Sequence, residues 1–155
     1  MVNSTSNKIF ASNRKANFQF ILLEKFEAGL SLLGSEVKAI REGKVNIKES
    51  YVKINNNELF VIGMNIGDYS HKGYSSHSPT REKKLLLHKI EILKIIKEVN
   101  IKGKTIIPIK IYLKSGKIKI QISIAKGKKI WDKRQSKREK DIEKKIQRIK
   151  RSSNA

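Results

Sequence analysis

Strict alternation of isoleucine with lysine, hairpin turns marked by Ser-Gly and Asn triplets, and only two segments of helical period predict a mainly β fold. Five or six strands and two or three short helices in about 110 residues fit an OB-like antiparallel Greek-key barrel, a platform for single-stranded nucleic acid. A sharp composition change after Ala125 divides the chain. The expected parts are a polar N-terminal arm (1–12), the barrel (13–125) and a basic C-terminal tail (126–155) that is disordered alone and helical when bound.

The elements follow in order. Residues 18–33 are long and mostly apolar, broken by Ala28-Gly29, which predicts two strands or one bent strand. Ser35 is placed to cap a helix over 36–42, with Glu36 at its favourable end, Gly43 as the stop, and Leu33, Val37 and Ile40 on one face. Residues 51–54 and 59–65 flank Asn55-Asn56-Asn57 and read as a hairpin, because Asn tolerates left-handed backbone. Ile92, Ile95, Ile96 and Val99 repeat at helical spacing, with Gly103 just beyond. Residues 106–113 and 117–124 pair through Ser115-Gly116. Pro108 cannot donate to a ladder and so marks an edge or a bulge. Ile118, Ile120, Ile122 and Ile124 share the buried face of the last strand, opposite Lys117, Lys119, Gln121 and Ser123.

Charge narrows the function. Thirty-five Lys and Arg against fourteen Asp and Glu leave +21, and the pI is about 10.2. So basic a domain expects a polyanion, nucleic acid before an anionic membrane. Residues 126–151 hold 13 basic and 4 acidic residues, a net of +9. The absence of cysteine removes disulfides, thiolate metal sites and cysteine nucleophiles. Apolar runs never exceed four residues, so no membrane span is expected, and residues 1–7 lack the apolar stretch of a signal peptide. A cytoplasmic location is expected.

Catalytic readings fail on spacing. Asp68, His71 and His77 can be written as a metal site, but they share one loop with no rigid scaffold. Gly103-Lys104-Thr105 resembles the end of a phosphate loop, yet Glu98 stands where the first Gly is needed. There is no nucleophile elbow. Glu24/Glu27 and Glu139/Glu143 read as surface pairs with nearby lysines. No enzyme, metal or cofactor is expected.

Two segments carry the binding signal. In 79–89 a cationic cluster runs into Leu85-Leu86-Leu87, read as a loop entering a helix. Three consecutive leucines cannot all face one core, so at least one points outward, beside His88, where an unstacked base can pack. In 125–134 four lysines, Arg134 and the only tryptophan, Trp131, follow the last strand as a basic arm with a stacking face. Further on, Ile142, Ile146 and Ile149 form one narrow stripe on an otherwise charged tail.

Five motifs in register resemble the SsrA-binding protein (small protein B) family. They are Glu27-Ala28-Gly29-Leu30; Gly34-x-Glu36-Val37-Lys38; Pro79-Thr80-Arg81-x-Lys83-Lys84-Leu85-Leu86-Leu87-His88; Gly103-x-Thr105-x-x-Pro108; and Ala125-Lys126-Gly127-Lys128-Lys129-x-x-Asp132-Lys133-Arg134. The resemblance implies an OB-like, non-catalytic protein. It would bind the tRNA-like half of transfer-messenger RNA, stand where an anticodon stem would be, and serve trans-translation on stalled ribosomes. It also implies the partners: transfer-messenger RNA, small-subunit rRNA at the decoding centre, and elongation factor Tu indirectly through the RNA, with the chain itself a monomer. The implied RNA-facing set is Glu27, Leu86 and His88, joined by the cations Arg81, Lys84, Lys126 and Lys128. The implied decoding-centre set is Lys128, Lys129, Trp131, Asp132, Lys133 and Arg134, with Lys137, Arg138, Ile142 and Ile146 following into the message channel. Trp131 stands where the family has His or Tyr, Lys83 for an expected Arg, Lys104 for an aromatic and Phe20 for a Tyr. The Lys83 exchange reads as a phosphate fork reduced to a point charge. Competing readings are a general ribosomal or single-stranded RNA-binding OB module, an RNA-processing enzyme and a basic amphipathic membrane binder.

Overall fold

The computed structural model describes residues 8–70, 77–101, 103–128 and 130–153. Seven strands form one antiparallel sheet: β1 (Ile9–Ser12), β2 (Phe20–Leu30), β4 (Tyr51–Asn55), β5 (Glu58–Ile62), β7 (Lys83–Leu86), β8 (Lys104–Lys114) and β9 (Lys117–Gly127). Their order is β1-β8-β9-β2-β7-β5-β4. The sheet curls until β4 lies against β8 without a ladder between them, an OB-like barrel with an open seam. β3 (Val45–Asn46) and β6 (Asn65–Ile66) make a separate two-stranded ribbon. Three short helices, α1 (Ala16–Gln19), α2 (Gly34–Arg41) and α3 (Lys89–Val99), and one long helix, α4 (Ile130–Ser153), complete the described chain.

Both hairpin turns are where the sequence puts them. Asn56 and Asn57 have φ of 50° and 61°, and Ser115 and Gly116 have 50° and 75°, the left-handed pairs that two-residue hairpins require. Pro108 sits at a bulge in the β8–β9 register, between Pro108 and Lys110.

Other elements differ from expectation. β2 runs unbroken through Ala28-Gly29; its irregularity falls between Leu22 and Lys25. One extra residue there turns the following side chains to the other face. Leu22 pairs with Ala125 on the outer face, where Ala16 of α1, Ile107 and Phe20 form a small second cluster. Phe26 and Ala28 pair with Ile122 and Ile120 in the main core, beside Leu59, Val61, Ile95, Ile106 and Ile111. α1 covering the outer face also explains why Ser123, expected on the solvent side, is buried.

Residues 9–12, assigned from sequence to the polar arm, form β1 and pair with β8. α2 begins two residues earlier than a Ser35 cap allows. Leu33 takes the cap position, and its N–H is satisfied by Glu36 Oε1 at 2.8 Å. The inward face is Glu36, Ala39 and Ile40, while Leu33 is half exposed. α3 forms where the isoleucine spacing puts a helix and buries Ile95, with Ile92 and Val99 packed beside it. Residues 83–86, expected to enter a helix, form strand β7, and Lys83 and Leu85 point inward while Lys84 and Leu86 point out. α4 carries the tail: Arg134 and every residue from Lys137 to Ser153 are exposed, including Ile142, Ile146 and Ile149. No described helix is long and apolar enough to cross a membrane.

Candidate nucleic-acid interface

A hollow of about 610 Å³ opens where β2, β7 and the start of α3 meet, lined among others by Glu27, Gly29, Lys84, Leu86, His88 and Lys119. Strand pairing brings these residues together from distant sequence: Gly29 lies opposite Leu86 on one side and Lys119 on the other. A Cβ built on Gly29 would come within 3.3 Å of Leu86 Cβ, so glycine lets the two strands close under the exposed leucine. Leu86 is 52% exposed; this is the outward leucine the triplet requires.

Glu27 is a fixed acceptor in this hollow. The Tyr112 hydroxyl donates to Oε2 at 2.5 Å, and Lys114 Nζ lies 3.2 Å from both oxygens. The Tyr112 hydrogen bond, aided by Lys114, holds the Glu27 carboxyl below the usual carboxylate range although partial burial opposes it. Burial, with the Glu27 carboxylate beside it, pushes the Tyr112 phenol up, so the phenol stays protonated and keeps donating. Lys84 is paired with Glu58 at 3.1 Å on an open surface, a contact that an incoming phosphate displaces readily. The His88 backbone N–H is capped by Glu91, and its residue is exposed at the mouth of α3.

A buried charge cluster joins α2 to the approach and first residue of β7. Glu36 is fully buried; Oε1 accepts from Arg81 Nη2 at 2.6 Å and Oε2 from Arg81 Nε at 3.3 Å. Burial raises the Glu36 pKa, but the Arg81 hydrogen bonds, the Leu33 N–H and the charges of Arg81 and Lys83 outweigh it and leave the carboxyl below its ordinary value. Arg81 also donates to the Ser31 and Glu82 carbonyls. Its guanidinium is therefore engaged within the fold, tying α2 to the approach of β7. Lys83 is equally buried, with Nζ donating to the Met64 carbonyl at 3.1 Å and lying 4.0 Å from Glu36. The point charge read as a phosphate contact is thus turned inward, and desolvation pulls its pKa down.

The other expected cations divide between body and tail. Lys126 is exposed on β9, paired with Lys104 and Ile21. Lys104, in the place of a family aromatic, instead bonds Glu98 at 2.8 Å and pins the end of α3. Lys128 anchors the root of the tail to α1: its N–H donates to the Gln19 carbonyl at 3.1 Å and its Nζ to the Asn17 carbonyl at 2.6 Å. Lys129 lies outside the described residues. Trp131, Asp132 and Lys133 occupy the start of α4, and Arg134, Lys137, Arg138, Ile142 and Ile146 are exposed farther along it.

Of the loop metal reading, His71 lies outside the described residues. His77 is buried, with Nε2 facing the Ile66 and Gly67 carbonyls at 3.1 and 3.0 Å and Nδ1 2.9 Å from Ser35 Oγ. Two carbonyls at Nε2 place the proton there, and Ser35 then donates to Nδ1, which uses both ring nitrogens. Among the described residues no group of His, Cys, Asp and Glu is arranged to hold a metal.

From residue 10 to residue 152 the chain is matched by the family model described as SmpB protein. The chain belongs to the SmpB family. Among its relatives, the SsrA-binding protein of Clostridium tetani is 45% identical over 148 residues, spanning 96% of this chain and 95% of that protein. The SsrA-binding protein of Persephonella marina is 48% identical over 139 residues, spanning 90% and 91%. A solved structure from "tmRNA-SmpB: a journey to the center of the bacterial ribosome" matches with a TM-score of 0.64 and 38% identity, covering 77% of this chain and 84% of that one. Sequence reasoning missed Tyr112, Lys114 and the buried role of Glu36 in this SmpB-family chain. Their signal was faint: an acid at the third helical position for Glu36, nothing local for the others.

Proposed function

We propose that the chain binds transfer-messenger RNA through its tRNA-like domain and delivers it to stalled ribosomes for trans-translation. The observation that carries this reading is the hollow around Glu27, Lys84, Leu86 and His88: a carboxylate held by Tyr112 and Lys114, an exposed apolar side chain and surface cations around one cavity. Such a surface suits an unstacked RNA base with its 2′-hydroxyl and phosphates. Family membership supports the choice of RNA. α4, with Arg134 and every residue from Lys137 to Ser153 exposed, supports a tail that enters a phosphate-lined channel at the decoding centre and message path. The chain acts as a monomer in the cytoplasm, does no chemistry of its own, and meets elongation factor Tu only through the RNA. Body (13–125) and tail (126–155) divide the labour.

The test is a competition gel shift at fixed salt with the tRNA-like fragment against unstructured RNA of equal length. Full-length chain prefers the tRNA-like fragment, and Leu86→Asp lowers that affinity at least tenfold. A chain ending at residue 130 keeps its affinity within a few-fold yet fails to support tagging on stalled ribosomes. Equal affinity for both RNAs returns a general RNA-binding module, and loss of RNA binding on truncation refutes the division of labour.

A further inference from the structure

Neither Tyr112 nor Lys114 lines the hollow, yet both reach its acid. The strand register explains how. Lys119 of β9 lies opposite Gly29 on β2 and Tyr112 on β8, and Gln121 lies opposite Glu27 and Lys110. Tyr112 and Glu27 therefore share one face of the sheet, diagonally across β9, with two strand spacings of about 10 Å between their backbones. A tyrosine and a glutamate together span that gap. A phenylalanine in place of Tyr112 leaves its far end without a donor. We propose that Tyr112 and Lys114 are positioning residues for RNA recognition, holding the Glu27 carboxylate aimed across the hollow with one acceptor site open to an RNA donor. The proposal rests on the reading of the hollow as an RNA site and adds to it two residues outside its lining.

Exposure divides the work among these groups. Tyr112 is 5% exposed, with Lys110 Nζ 5.2 Å from its ring centroid, so the phenol is held within the fold. The Glu27 side chain is 37% exposed and meets whatever enters the hollow. An ionised carboxylate offers about four acceptor sites. Among the described residues, Tyr112 and Lys114 take the two on Oε2, and Lys114 takes one on Oε1. One site on Oε1 is left. A carboxylate without a proton accepts and cannot donate, so that site suits an N–H of a base edge or a ribose 2′-hydroxyl and repels a phosphate oxygen. The Tyr112 hydroxyl, with Lys114 and the charge of Lys119, also favours the ionised form that this role needs. An unheld glutamate loses its rotamer freedom only as the ligand arrives; here that ordering is complete beforehand. Lys114 differs in this from Lys84, whose exposed pair with Glu58 stands on the lining itself, because the Lys114 ammonium is committed to Glu27 from outside the hollow.

The test is a double-mutant cycle on the full-length chain, with affinity for the tRNA-like RNA fragment measured at fixed salt and each variant first shown to be folded by circular dichroism. Tyr112→Phe, which changes no charge, weakens binding about fivefold, the cost of ordering one more side chain on binding. In a Glu27→Gln background the same exchange changes affinity by less than about twofold, because there is no carboxylate left to aim. In a Leu86→Ala background the loss stays at about fivefold, since that contact is independent of the aim of Glu27. The log–log salt slope of Tyr112→Phe matches wild type, whereas a lost single-strand phosphate contact would lower it by about 0.7. Lys114→Met also weakens binding about fivefold, and Lys114→Arg, which keeps donors for both oxygens, restores it. Undiminished binding by Tyr112→Phe, or an equal loss with and without the Glu27 carboxylate, overturns the proposal. A Lys114→Met loss that persists in the Glu27→Gln background makes Lys114 a direct phosphate contact and overturns its assignment. If Leu86→Asp weakens binding while Glu27→Gln does not, the hollow stands as the RNA site and only the positioning role falls. If neither weakens it, the RNA reading of the hollow falls and takes the positioning role with it.

Discussion

Replacing Glu36 by alanine removes the carboxylate that faces both Arg81 and Lys83. Arg81, whose side chain is 34% exposed, can turn toward water. Lys83 cannot: its side chain is fully buried, and without Glu36 its ammonium keeps only the Met64 carbonyl. Breaking a buried pair by removing one partner costs about 3–5 kcal/mol, and the escape of Arg81 places this case near 3 kcal/mol. For a domain of this size that is a fall in melting temperature of about 10 °C. The assay is urea and thermal unfolding of the full chain followed by circular dichroism. Because most of the loss is the orphaned ammonium, Lys83→Met in the Glu36→Ala background should return about 1–2 kcal/mol. Titration adds a sign. The folded-state pKa of Glu36 is depressed, so its contribution is complete above the unfolded value of about 4.3 and is lost as pH falls through the folded value. The gap between wild type and Glu36→Ala therefore closes in acid. Lys83 in the variant has its pKa lowered by burial with no anion to oppose it, so the variant also regains stability as pH rises toward 10 and the ammonium is lost. A loss under about 1 kcal/mol, with no recovery from Lys83→Met, would refute the buried-charge account.

Two further outcomes follow from other contacts. Tyr112→Phe deletes the main cause of the low Glu27 pKa; the carboxyl, followed by carbon-13 NMR, should titrate at higher pH, with a stability cost of about 1–2 kcal/mol for the lost charged hydrogen bond. An unmoved Glu27 titration rejects the lock. In the tail, like charge and absent packing make an isolated helix marginal, so a peptide of residues 126–155 should show little helical dichroism in low salt. Ile142→Pro with Ile146→Pro should then abolish rescue of stalled ribosomes and leave RNA affinity of the full chain within a few-fold; normal rescue by that variant reduces the tail to a flexible tether.

Local chemistry was legible in the sequence. Asn56-Asn57 and Ser115-Gly116 announced their turns because left-handed backbone narrows the choice of residue, and the period of Ile118 to Ile124 announced its strand. The five spaced motifs carried the family. What stayed hidden depends on pairing. The bulge between Leu22 and Lys25 is a single extra residue in an apolar run, yet it moves the following side chains to the other face. Lys83 and Lys84 are indistinguishable as letters; strand alternation buries one and exposes the other. Tyr112 meets Glu27 across 85 positions, a contact that only the β2–β9–β8 order creates.

Paired and unpaired charges are unevenly spread in this molecule. The body acids Glu27, Glu36, Glu58 and Glu98 spend their charge on Lys114, Arg81, Lys84 and Lys104. Those pairs set the hollow's floor, the lip of β7 and the end of α3. Much of the cationic excess lies on α4, where Arg134, Lys137 and Arg138 are exposed. Self-repulsion among +21 charges is tolerable because much of this excess is solvent-exposed, with Arg134 and every residue from Lys137 to Ser153 open to water. A polyanion then relieves the repulsion and gains the attraction at once. Salt should accordingly weaken RNA binding steeply while leaving the unfolding midpoint of the body nearly unmoved, since Glu36 and Lys83 are both fully buried away from the ions in solution and exposed pairs such as Lys84–Glu58 contribute little.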